Sequence, residues 1–251
     1  MKRALLLLII TLLLSCSVQE GGEVFSPELI AHAGGGIDSC IYTNSREALM
    51  QAVDKGYRFV EFDFLFTSDS ILVAAHSWSD FNRMTGYSHL GDTAPLFNDF
   101  STRKIYGCYT PLSAFEINAF IESHTQLFLV TDKVSTPEVL QCYFPNIKER
   151  MVVEAFSYQD YCRLKSDGYF RVLYSCMAND LTKTFFSNNS LSILNIEWLA
   201  LHTSAFDNPI FKFINSIKPF EIALFTVDNI DSIPTRYRGM VKMVYTNFIA
   251  P

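Results

Sequence analysis

Neither a CxxC pair nor a histidine and cysteine spacing suited to zinc occurs in this sequence, which removes the common zinc modules and dithiol redox motifs. Basic residues are in deficit. Twenty Lys and Arg stand against 26 Asp and Glu, a formal charge of −6, so neither nucleic acid nor an anionic lipid surface is an expected partner. No internal repeat or low-complexity segment interrupts the chain, and with 49% hydrophobic residues and 22 Phe a disordered composition is excluded as well. The longest apolar run, Ala4 to Leu14, is too short to cross a bilayer as a helix.

That run has another reading. Met1-Lys2-Arg3 supplies a charged start, the apolar run follows, and the sequence then reads Leu13-Leu14-Ser15-Cys16, the pattern of a secretory signal that resembles the lipobox of bacterial lipoproteins. The resemblance implies removal of residues 1–15, a lipid on Cys16, and a protein held in the bacterial cell envelope, periplasmic or surface-exposed, with the membrane as a partner through its anchor. Residues 16–27, with Gln19, Glu20, Gly21, Gly22 and Pro27, make a polar tether, and residues 28–251 are long enough for one α/β barrel. Cys40, Cys108, Cys142, Cys162 and Cys176 are expected to be small buried hydrophobes.

Along the chain, short apolar runs alternate with amphipathic stretches. Strands are expected at Leu29-Ile30-Ala31, Phe59 to Phe66, Ile71 to Ala75, Leu127 to Val130, Met151 to Ala155, Phe170 to Tyr174, Ser192 to Ile196, Ile222 to Val227 and Met240 to Tyr245. Helices are expected over residues 44–55, 112–123, 157–166, 179–187 and 207–217, with Ser157 and Asp207 as N-caps. Strands alternating with helices predict a mostly parallel sheet, and if Ile71 to Ala75 pairs beside the strand before it, eight strands remain for a TIM-type (β/α)8 barrel. Residues 77–111, rich in Ser, Asp, Asn, Gly and aromatics, lack either period and are expected to form a small inserted lobe over the barrel mouth.

The run Phe59-Val60-Glu61-Phe62-Asp63-Phe64-Leu65-Phe66 alternates, so Glu61 and Asp63 share one face and Val60, Phe62, Phe64 and Phe66 the other. With the apolar face on the helices, both carboxylates point into the barrel, where neighbouring negative charges need a cation or shared protons. A hard divalent metal, Ca²⁺ or Mg²⁺, meets that need. His32 ends Leu29-Ile30-Ala31, His76 ends Ile71 to Ala75, and Asp132 closes Leu127-Phe128-Leu129-Val130-Thr131. In α/β barrels that end of each strand builds the active site.

In order and spacing, these residues resemble the glycerophosphodiester phosphodiesterases, within the wider group that includes phosphatidylinositol-specific phospholipases C. The resemblance runs through His32-Ala33-Gly34-Gly35, Thr43-Asn44-Ser45, Gly56, Glu61-Phe62-Asp63, Thr67-Ser68-Asp69, Val73 to His76, Pro111-Leu112, Phe225 to Asn229 and Tyr245-Thr246-Asn247. It implies His32 and His76 as acid and base, Glu61, Asp63 and Asp132 as metal ligands, and a small phosphodiester as substrate. A phospholipid headgroup or a non-catalytic glycan- or lipid-binding role is the alternative. Three positions depart from the pattern. Ala33 replaces a common Arg, Thr43 replaces a common Glu, and Lys133 directly follows Asp132 where the family's lysine stands two residues after the acid. On a continuing strand Lys133 faces away from Asp132, leaving Arg46, Arg83, Arg103 or Lys104 as candidates for the lost positive charge.

Overall fold

In the computed structural model, which describes residues 25–176 and 195–251, eight parallel strands close into a barrel in the order β1, β9, β8, β7, β6, β5, β4, β2, with β1 returning to β2. They are β1 (Glu28–Ala31), β2 (Phe59–Phe66), β4 (Phe128–Asp132), β5 (Met151–Ala155), β6 (Arg171–Cys176), β7 (Trp198–His202), β8 (Glu221–Phe225) and β9 (Val241–Thr246). The short β3 (Leu72–Ala74) lies outside the ring and runs antiparallel to the distal half of β2, Phe64 opposite Ala74 and Phe66 opposite Leu72. This is the TIM-type barrel that the alternation of strands and helices predicts.

Side-chain alternation sorts the strand residues into two apolar layers. Ile30, Phe59, Val130, Val152, Leu173, Ala200, Ala223, Met243 and Tyr245 fill the lumen. Their neighbours Val60, Phe62, Leu129, Val153, Leu199, Leu201 and Val244 pack outward with residues of the surrounding helices such as Leu49, Ile117, Leu164 and Phe211. Helix starts are written in the sequence. Ser45 accepts from Ala48 N ahead of helix Arg46–Asp54, Ser113 and Glu116 form a reciprocal capping box on helix Ala114–Ser123, and Ser157 caps helix Tyr158–Ser166. Helix Pro209–Ile217 is capped by Asn208 instead of the expected Asp207, because Pro209 takes the first helical position and needs no amide partner.

Two other expectations shift. The strand expected at Ser192 to Ile196 lies at Trp198–His202, where Trp198 and Ala200 face the lumen and Leu199 and Leu201 the helices, while the helix expected over 179–187 falls outside the described residues, as does Cys16. Of the five later cysteines only Cys176 is buried; Cys108, Cys142 and Cys162 are exposed, and no disulfide joins any of the five. No described helix is long and apolar enough to cross a membrane.

Residues 77–111 contain helices Trp78–Met84 and Phe97–Thr102 and have their own apolar cluster, in which Phe81, Met84, Phe100, Ile105 and Tyr109 pack on Val73 and Ala75 of the β3 segment. The Phe81 and Phe100 rings stack at 4.6 Å. At the other end of the barrel, Phe25 to Glu28 enters β1 beside Arg238, Gly239 and Lys242, so the chain arrives at the N-terminal ends of the strands.

Candidate active site

Above the lumen plug the inward positions turn polar. Glu61 and Asp63 lie two residues apart on the inner face of β2, and the β2/β4 register places Asp63 opposite Asp132. Oxygen atoms of all three lie within 4.8 Å of one another, with Glu61 and Asp63 buried. Each β2 carboxylate is held by the loop after β1. Ala33 N donates to Glu61 Oε2 at 2.7 Å, and Asn44 forms a pair with Asp63, its Nδ2 donating to Oδ2 at 3.0 Å while its Oδ1 accepts from Asp63 N at 3.1 Å. Both loop residues have left-handed backbone, φ 51° at Ala33 and 49° at Asn44, a conformation costing non-glycine residues roughly 1–2 kcal/mol. The loop can pass there because Gly36 approaches β9 closely; its amide donates to Asn247 O at 2.7 Å, and a Cβ would sit 2.3 Å from the Phe248 ring.

Crowding sets the charge state of this cluster. Burial, reinforced by Asp63 and Asp132, pushes the Glu61 carboxyl well above the usual carboxylate range. Asp132 is likewise pushed up, by burial and by the charges of Glu154 and Asp63. Burial would do the same to Asp63, but the Lys133 ammonium and hydrogen bonds from Asp132, Lys133 and Asn44 hold it below its ordinary value. Three desolvated oxygen donors that repel one another and are pinned by neighbouring amides suit a hard divalent cation. All three residues named as ligands from the sequence are therefore brought to one point.

Both histidines face the same cavity, about 620 Å³ in volume. The Tyr42 ring stands between them, 4.8 Å from His32 edge to face and 4.7 Å from His76, measured between centroids. Burial lowers the His32 pKa against the opposing pull of Asp63, and its Nδ1 lies 3.3 Å from Thr226 Oγ1. His76 Nδ1 lies 2.8 Å from Asp80 Oδ2.

The positive charge comes from a residue expected to face away. Lys133 Nζ donates to Asp63 Oδ1 at 2.8 Å and to His76 O. Strand alternation ends at Asp132, and a left-handed Lys133 backbone, φ 68°, swings its side chain back to the inner side. The other four candidates are engaged elsewhere: Arg46 with Glu116, Arg83 with Asp80, Arg103 with Asn82 and Lys104 with Thr110. Thr43, where an acid is common, is buried with its hydroxyl on Ser45. Asp228 accepts from Thr246 and Asn247 and ties the ends of β8 and β9 together beside the cavity.

Three lining residues escaped sequence reasoning. Tyr42 gives no periodic signal. Glu154 left one, an acid within the apolar strand Met151–Ala155; it is buried, accepts from Tyr245 Oη at 2.5 Å and is pushed up chiefly by burial. Tyr245 was readable as a strand residue and as part of the Tyr245-Thr246-Asn247 run, but without a role. Phe156, Tyr174 and Phe225 add aromatic rings to the cavity lining.

Taken together, the site offers two imidazoles, one ammonium and an oxygen cage for a cation, with Ser175 engaged on Glu154 and Cys176 also in the lining. Residues 32–134 match the Glycerophosphoryl diester phosphodiesterase family. No curated protein sequence matches the chain. Among solved structures, a phosphodiesterase from Oleispira antarctica in complex with the product sn-glycerol-3-phosphate is similar at 19% identity and TM-score 0.61, covering 89% of this chain and 94% of that one. Glycerophosphodiester phosphodiesterases from Thermotoga maritima (17%, TM-score 0.62, 88% and 95% covered) and Parabacteroides distasonis (16%, TM-score 0.62, 88% and 92% covered) share the same fold.

Proposed function

We propose that the chain, whose residues 32–134 match the glycerophosphoryl diester phosphodiesterase family, is a phosphoric diester hydrolase that cleaves glycerophosphodiesters to an alcohol and glycerol phosphate. The observation that carries this reading is the convergence of His32, His76, Lys133 and the triad Glu61, Asp63 and Asp132 on one cavity. The triad would hold a divalent metal, Ca²⁺ or Mg²⁺, which when bound supplies charge neutralisation at the phosphoryl oxygens.

The protein's own groups handle the protons. His32, kept neutral by burial, takes the proton from the attacking hydroxyl. His76 gives one to the departing alkoxide, with Nδ1 engaged by Asp80 and Nε2 left to face the substrate. Lys133 supplies the cation that Ala33 does not, beside Asp63, for a non-bridging phosphoryl oxygen. Tyr42, packed on both rings, keeps them apart, so that one can act on each side of the phosphorus. The attacking hydroxyl belongs to the substrate, adjacent to the ester, so the first step releases the alcohol and leaves a cyclic phosphate, which a water then opens to glycerol phosphate with the two histidines exchanging roles. An intramolecular attack gains up to roughly 7–11 kcal/mol from proximity, and the protein needs no nucleophile of its own.

Phosphorus NMR with glycerophosphocholine or glycerophosphoethanolamine, Ca²⁺ or Mg²⁺ present and then chelated, tests the reading. The expected record is glycerol phosphate formation that stops with chelator, preceded by a transient cyclic phosphate. No turnover of any glycerophosphodiester with either metal overturns the function. Turnover that is as fast on diesters lacking the hydroxyl overturns only the intramolecular route.

A further inference from the structure

We propose that Asp80 is the positioning residue for His76: its carboxylate, fixed at the first turn of helix Trp78–Met84, accepts from Nδ1 and thereby holds the ring in the tautomer and orientation that present Nε2 to the cavity. This rests on the reading of His76 as a proton donor above.

The helix start has no need of the histidine. Ser77 caps it by accepting from Asp80 N at 3.0 Å and returns its own hydroxyl proton to Asp80 Oδ2 at 2.7 Å. Arg83, one turn on, donates to the other oxygen, Oδ1, at 3.0 Å. With Ser77 and Arg83 setting its plane, the carboxylate still meets His76 Nδ1 at 2.8 Å. The hydrogen bond from His76 contributes first to keeping Asp80 ionised. An imidazole facing a carboxylate through Nδ1 carries a proton there whether the ring is neutral or charged, so the second proton of the charged ring sits on Nε2 toward the cavity, where it can be given up. The peptide carbonyl of His76 is gripped separately by Lys133 and its ring by Tyr42, so the residue is held at its backbone, at Nδ1 and on one face of the ring. The other groups facing it are Arg83, whose charge is spent on Asp80, and His32 beyond Tyr42. Asp80 keeps its negative charge throughout; the proton that moves is the one on Nε2.

Asp80→Asn preserves shape and can still serve Ser77, but its amide no longer dictates which nitrogen carries the proton. The experiment measures kcat and KM for glycerophosphocholine in wild type, Asp80→Asn, Asp80→Glu and His76→Ala, with thermal midpoints alongside. It adds nitrogen-15 NMR of the His76 ring in the wild-type protein, followed upward in pH until the ring is neutral and its tautomer can be read. The expected result is a kcat loss in Asp80→Asn of roughly 10–100-fold, short of the 10²–10⁴-fold for His76→Ala, with KM within twofold, partial recovery in Asp80→Glu, and the Nδ1–H tautomer in wild type. An Nε2–H tautomer in wild type overturns the proposal even where a variant does not fold. So does an Asp80→Asn enzyme with unchanged kcat and a lowered midpoint, which marks a helix cap alone while His76→Ala remains inactive. Full activity in His76→Ala removes the underlying reading together with this one.

Discussion

Burial favours the neutral form of His32, and the consequence for pH has a definite sign. A histidine whose folded pKa lies below the ordinary 6.5 accepts a proton in the unfolded chain before the folded one, so acidification through 6.5 draws stability away. The same shift keeps the ring available as a base below 6.5. In a profile of kcat/KM, the acid limb removed by His32→Gln should therefore lie below pH 6.5; a wild-type limb above it would contradict the environment described. Lys133→Met should raise KM for a glycerophosphodiester at least tenfold, on the order of the 1.5–3 kcal/mol of a hydrogen bond to a charged group, and unchanged steady-state kinetics would place the substrate phosphate elsewhere. Glu61→Gln should weaken Ca²⁺ or Mg²⁺ in calorimetric titration more than it alters the midpoint of unfolding, because the neutral amide removes a donor charge together with part of the repulsion in the cluster. At this scale the sequence was readable along the strands: Glu61 and Asp63 follow from the period of two, and Asp132 from its place at a strand end. It was not readable where the backbone turns left-handed, and Tyr42 and Lys133 reach the site through φ values that no residue pattern announces.

Between residue and molecule, the decisive element is β3 with the lobe that follows it. Ala75 N donates to Asp63 O, which binds the segment carrying His76 to the strand carrying the acids, and the lobe's aromatic cluster presses on the same segment through Val73 and Ala75. Its two helices have seven and six residues, too few for a hydrophobic period to emerge, so the sequence showed a long irregular stretch where tertiary packing builds helices. The barrel strands, with lumen and helix faces both apolar, were legible throughout apart from β7. Phe100→Ala, removing one partner of the Phe81 stack, should cost roughly 3–5 kcal/mol in denaturant unfolding. If the lobe supports His76 as described, kcat should fall in that variant while Ca²⁺ affinity, set by β2 and β4, stays within a few fold. Equal losses in both would mean that the acids depend on the lobe as well.

For the whole molecule, the testable expectation is the anchor. Cys16→Ser should move the protein from the membrane fraction to the soluble one or leave it unprocessed, and unchanged fractionation would end the lipoprotein reading. The direction from which the chain enters the barrel then acquires a meaning of its own. Glu28 begins β1 at the N-terminal ends of the strands, while His32, Asp132 and the cavity occupy the opposite ends. Residues 17–27 span at most about 40 Å when fully extended. A lipid on Cys16 would therefore attach the barrel from the end opposite the cavity, which favours an active site turned toward the surrounding water. Such an enzyme would draw on dissolved headgroup diesters drifting past the membrane and leave the lipids beneath its own anchor untouched. Vesicles carrying the lipidated protein should deplete glycerophosphocholine from solution and spare the phosphatidylcholine they are made of.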